Sequence, residues 1–140
     1  MKLDRIEHAA MAHHLTVLGG VTTGLPPTLK TLLLLGPQTP GFWPHFTAAP
    51  EYDDGLPDPL DRWSTRVIGQ LAHDLGAVAF FPFGGPPWQP FLPWALRSGR
   101  ARQSPVGMLV HDTAGLMVSY RGAIALPNRI AVPTPPQESP

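Results

Sequence analysis

Between Phe80 and Trp94 the chain reads Phe80-Phe81-Pro82-Phe83-Gly84-Gly85-Pro86-Pro87-Trp88-Gln89-Pro90-Phe91-Leu92-Pro93-Trp94. These fifteen residues hold four Phe, two Trp, five Pro and two adjacent Gly. Proline fixes φ and glycine opens the left-handed region, so this backbone is both stiff and sharply turned. Its aromatic rings are too many to leave in water. They must pack on the rest of the domain, on a ligand or on a partner.

The flanking segments supply what the stretch can pack against. Leu3, Ile6 and Ala10 recur at helical spacing and predict a helix over Leu3 to His14. The β-branched tract from Leu15 to Thr23 predicts a strand with a bend or bulge at Gly19-Gly20. The apolar run Thr31 to Leu35, closed by Gly36-Pro37, predicts a buried central strand. From Gln38 to Asp54 the sequence predicts ordered loop anchored by Phe42, Trp43 and Phe46, with room for one helical turn around Trp43 to Thr47. Asp58-Pro59-Leu60-Asp61 reads as N-cap, first-turn proline and first-turn acid. Leu60, Trp63, Val67, Leu71 and Leu75 then form one stripe, with Gly76 at the C′ position, predicting a helix over 58–75. A strand at Ala77 to Phe81, a helix from Pro87 to Ser98, a strand at Val106 to Val110 and extended chain from Leu116 to Leu126 complete the order. Tyr120, Arg121 and Gly122 interrupt the last segment. The prediction is an α+β mixed-sheet sandwich in one domain, residues 1–127, with a Pro-rich tail at 128–140.

Net charge bears on partners. Ten Lys and Arg balance ten Asp and Glu, and only 14% of residues are charged. No global field favours nucleic acid. So little charge gives little colloidal protection, which favours a partner or a homo-oligomer. The chain has no cysteine, so it supplies no thiolate for a disulfide, an iron–sulfur cluster or a nucleophile. Nothing behind Met1-Lys2-Leu3-Asp4-Arg5 resembles the apolar core of a signal peptide, and the longest apolar run is far too short to span a membrane. A cytoplasmic protein is expected.

Three constellations could carry chemistry. His111-Asp112, at a strand end, could shuttle a proton or hold a metal, although packing of His111 and turn-capping by Asp112 explain the pair as well. The acids Glu51, Asp53, Asp54, Asp58 and Asp61 could attract a cation, but dipole complementarity at the long helix accounts for them. Arg97, Arg100 and Arg102 could hold phosphate, or simply complement a helix C-terminus. His13-His14 has no metal-ligand spacing, and neither a phosphate-loop nor a GxSxG pattern is present.

Trp94-Ala95-Leu96-Arg97-Ser98-Gly99, Ser104-Pro105-Val106-Gly107-Met108-Leu109-Val110-His111 and Gly115-Leu116-Met117-Val118-Ser119-Tyr120-Arg121-Gly122-Ala123-Ile124 resemble a segment of epoxyqueuosine reductases and related corrinoid proteins. The Gly41-Phe42-Trp43, Asp58-Pro59-Leu60-Asp61-Arg62-Trp63 and Phe81-Pro82-Phe83-Gly84-Gly85-Pro86-Pro87 blocks are similar to small bacterial ferredoxin-like proteins, in which a Cys-rich half follows. The resemblance implies a nitroreductase-like sandwich of the CblC type, a cobalamin-binding cleft and electrons from neighbouring clusters. It also implies that this chain is a short relative or the first half of a longer product, since the cluster-bearing half is missing.

Two functions follow as expectations. One is a non-catalytic or partner-dependent module that offers an aromatic surface to a ligand or protein. The other is a corrinoid-binding reductase module served by a separate iron–sulfur protein. In either case the expected site residues are Phe83, Gly84, Gly85, Trp88, Arg97, His111, Tyr120 and Arg121. Aromatic faces would stack on a planar ligand and arginine would meet amide or phosphate groups.

Overall fold

A computed structural model describes residues 2–38, 40–83, 89–103, 109–111 and 120–132. Its elements, in chain order, are α1 (Leu3–Met11), β1 (Leu15–Val21), β2 (Thr31–Pro37), α2 (Phe42–Thr47), a 3-10 turn (Pro50–Asp53), α3 (Pro59–Asp74), β3 (Val78–Phe80), α4 (Phe91–Arg97), β4 (Ala101–Gln103), β5 (Leu109–His111) and β6 (Gly122–Leu126).

The four-leucine run explains the layering. In a strand, alternate side chains point to opposite faces, so a strand apolar on both faces needs cover on both. Leu33 and Leu35 enter one core with Ile6, Phe42, Phe46, Trp63, Ile68 and Ile124. Leu32 and Leu34 enter a second with Val21, Phe91, Trp94, Ala95, Ala123 and Ala125. Helices α1, α2 and α3 therefore cover one face of the sheet, and α4 covers the other.

The sheet order is β1-β2-β6-β3. All of its pairings are antiparallel, as is that of the separate β4–β5 pair. The expected mixed sheet is thus corrected to an antiparallel one. Helices between strands suggested parallel neighbours, and β2 and β3 do run parallel. They are not adjacent, because β6 inserts between them and pairs antiparallel with both. This is the split βαβ arrangement.

The expected bulge in β1 is present. The register on β2 shifts between Val17 and Gly19. The extra residue reverses the alternation, so Leu15 and Val17 face the α3 side while Val21 faces α4.

Helix α3 occupies 59–74, close to the predicted span, and Gly76 takes the left-handed C′ conformation at φ 68°. Its N-terminus departs from expectation. Asp58 stands at the N-cap position but its side chain caps nothing, and its own backbone is left-handed at φ 52°. The following proline disfavours the right-handed region for residue 58, and aspartate is among the few side chains that tolerate the left-handed one. Arg62 holds the entry instead, donating to the Pro57 and Leu56 carbonyls and to Asp54.

Strand β5 overlaps the strand expected at Val106 to Val110, whereas its partner β4 is not expected, since Ala101-Arg102-Gln103 carries no β-branched or aromatic residue. Helix α2 is six residues long, slightly more than the single turn allowed for. Past β6 the chain stays on the domain: the Thr31 hydroxyl donates to the Asn128 carbonyl and accepts from the Ile130 amide, and Ile130 is buried. The rest of the expected 128–140 tail (133–140), the turn at 112–115 and residues 104–108 lie outside the described residues. Among the described residues no helix is long and apolar enough to cross a membrane.

Candidate functional site

Gly122 opens β6, and a Cβ there would stand 2.8 Å from Ile68 Cδ1 and 3.2 Å from the Phe80 carbonyl. Only glycine lets β6 approach α3 and β3 this closely. The residue before it is carried into the same crowded corner. Arg121 donates its backbone amide to the Leu35 carbonyl at 2.8 Å, which extends the β2–β6 ladder by one bond. Its side chain keeps only 12% of its exposure.

Three observations define the guanidinium's setting. Nη2 donates to Asp61 Oδ1 at 3.0 Å, on the first turn of α3. The Phe83 ring centroid lies 5.8 Å from its central carbon, within cation–π range. Nε is buried and meets no acceptor among the described residues. Burial lowers the Arg121 pKa, and the nearby Asp61 carboxylate opposes that shift. The group stays cationic, because arginine does not deprotonate in proteins.

A buried cation with one ionic partner and one unused donor can accept a further hydrogen-bond acceptor at little desolvation cost, since that cost is already met in the fold. The wall beside it is aromatic: the Phe81 and Phe83 rings are 5.2 Å apart and tilted by 31°. Phe81 also packs on the α3-side core.

The expected site residues separate accordingly. Phe83 and Arg121 come together. Tyr120, although adjacent in sequence, packs against the other core, on the α4 face. Arg97 lies elsewhere, with its guanidinium against Gly24 in the β1–β2 connection, whereas Arg121 sits at the Leu35 end of β2. His111 pairs through its backbone with Ala101 in the β4–β5 unit. Gly84, Gly85, Trp88 and Asp112 lie outside the described residues.

Sequence reasoning placed Asp61 in an acidic patch and missed that it pairs with Arg121. The two are sixty positions apart, and no local spacing links them. It also set aside His13-His14, which the fold brings next to His45: the His14 and His45 ring centroids are 4.7 Å apart. Among the described residues no group of three His, Cys, Asp or Glu side chains is arranged to hold a metal. No protein-family model, curated protein or solved structure matches this chain.

Proposed function

We propose that this chain is a cytoplasmic binding module, dependent on a ligand or partner that presents a hydrogen-bond acceptor to Arg121 across the aromatic wall begun by Phe83. The observation that carries the proposal is the buried Arg121 guanidinium, held by Asp61 and Phe83, with Nε meeting no acceptor among the described residues. The nitroreductase-like assignment belongs to the same proposal, supported by helices covering both faces of the antiparallel sheet. The resemblance in the sequence makes cobalamin the first ligand to try and an iron–sulfur electron-transfer protein the first partner. A corrinoid amide or phosphate would meet Arg121, and its planar ring would lie on the aromatic wall.

Arg121→Met tests this. Methionine fills the volume and removes the donors; Asp61, which loses its partner, is 36% exposed and can be solvated, so the loss stays below that of a fully buried pair and the melting curve checks that the variant folds. Cobalamin and FMN are each incubated with the purified chain and with the variant, followed by gel filtration and melting. Co-purifying or cross-linked proteins are compared for the same two samples. The expected outcome is a ligand or partner retained by the native chain and lost from Arg121→Met, while Arg62→Ala keeps it. Equal behaviour of Arg121→Met and the native chain in both arms overturns the proposal.

A further inference from the structure

We infer that a recess between the end of α1, helix α2 and the middle of α3, separate from the Arg121 site, is a binding site for a small organic carboxylate with a flat apolar body. The recess has a volume of about 280 Å3, just below the usual range for small-molecule sites and enough for a small ligand. Its lining includes the apolar Pro50, Val67 and the indole of Trp63, and the basic His13, His45 and Arg66. A flat ring suits the apolar lining residues and an anionic group the basic ones.

The charges around the recess favour an anion. His13 is held below its ordinary pKa by burial and then by the positive charge of Arg66, with Asp74 opposing. His45 is lowered by burial, then by His14, His13 and Arg66. Each positive group thus makes the next harder to protonate. A carboxylate among them would reverse that repulsion and convert imidazole contacts into charge-assisted hydrogen bonds. Glu51, from the 3-10 turn, does not fill this role, because both its oxygens already accept from Nε and Nη2 of Arg66. That chelation leaves the remaining guanidinium nitrogen, Nη1, without an acceptor among the described residues. His45 sits edge-on to Trp63 at 6.2 Å, and Trp63 is itself buried.

The probe is benzoate, titrated into the whole chain while the His13 and His45 ring resonances are followed by NMR. Benzamide, equal in shape but uncharged, and acetate, charged but without the ring, serve as comparisons. The expected result is a saturating shift of both histidines by benzoate, with benzamide weaker by roughly tenfold for the lost charge-assisted contact and acetate by a similar factor for the lost ring burial. Affinity should rise several-fold as pH falls from about 8 to about 6, because binding takes up a proton on an imidazole. His45→Gln should weaken benzoate about tenfold at an unchanged melting temperature. Should that variant fail to fold, His13→Gln, on the turn after α1, serves in its place. Arg121→Met should leave the response intact, so this inference stands or falls separately from the proposed function. Unmoved histidines, benzamide binding as tightly as benzoate, or a response insensitive to both histidine variants would overturn it.

Discussion

Arg62 and Arg121 both meet the first turn of α3, and they are used in opposite ways. Arg62 is about one-third exposed and uses all three of its nitrogens: it forks onto both oxygens of Asp54 and also donates to the Pro57 and Leu56 carbonyls. Those acceptors belong to the loop that enters α3, so the side chain closes the loop onto its own helix. Arg121 is far more buried and touches one carboxylate oxygen. The exposed cation has every guanidinium nitrogen engaged, while the buried one keeps Nε without an acceptor among the described residues. Engagement of every guanidinium nitrogen, together with exposure, therefore separates the structural arginine from the candidate binding one.

The largest expected effect erases the difference by removing what both pairs stand on. Trp63 follows Arg62 on α3 and keeps 1% of its exposure. Its ring meets Phe42 edge-on at 5.2 Å and Phe46 at 6.1 Å. Trp63→Ala should cost about 3–5 kcal/mol in urea unfolding, because neighbours that interlock edge to face cannot collapse into the space left. Both arginine pairs should loosen together. A cost near 1 kcal/mol would mean that α2 repacks freely and that the first turn of α3 is anchored elsewhere.

A smaller effect should fall on one pair alone. Asp61→Asn keeps the shape and removes the charge facing Arg121. Removing one partner of a fully buried pair costs about 3–5 kcal/mol, and Asp61 is 36% exposed, so a loss of about 2 kcal/mol is expected. Asp54→Asn, opposite the exposed Arg62, should lower the melting temperature less. Equal losses in the two variants would show that burial of Arg121 adds nothing to its dependence on a counter-charge.

Much of the frame was legible because it is written locally. The α3 stripe recurs at three and four, β2 is an apolar run bounded by turn residues, and the β1 bulge falls where two glycines stand. The features that failed are those that neighbouring residues do not encode. Insertion of β6 between β2 and β3 joins segments separated by most of the chain. Nothing in Ala101-Arg102-Gln103 has the β-branched or aromatic character that marks a strand. At the site, Phe83 and Arg121 were singled out by type, but Asp61 looked like one of several helix-start acids. The grouping of Tyr120 with Arg121 failed because adjacent residues on an extended segment point to opposite faces.

The smallest expected effect concerns a third arginine, intermediate between the two. Arg66 forks onto Glu51 as Arg62 does onto Asp54, yet the Glu51 side chain is only 10% exposed while Arg66 is more than half exposed. The Arg66 hydrogen bonds hold the Glu51 carboxyl below the usual range, and burial opposes them. A carboxyl whose folded pKa is lowered adds stability that is present above its unfolded value, near about 4.3, and is lost as pH falls through the folded one. The native chain should therefore lose melting temperature on that acid side, and Glu51→Gln should flatten this part of the fall. Solvent around Arg66 screens the pair, so the difference at neutral pH should be on the order of 1 kcal/mol or less. Parallel melting curves for the native chain and Glu51→Gln at every pH would show that this fork contributes no pH-dependent stability. Arg66 would then act as an exposed cation beside the histidine recess, unlike either of the arginines at the start of α3.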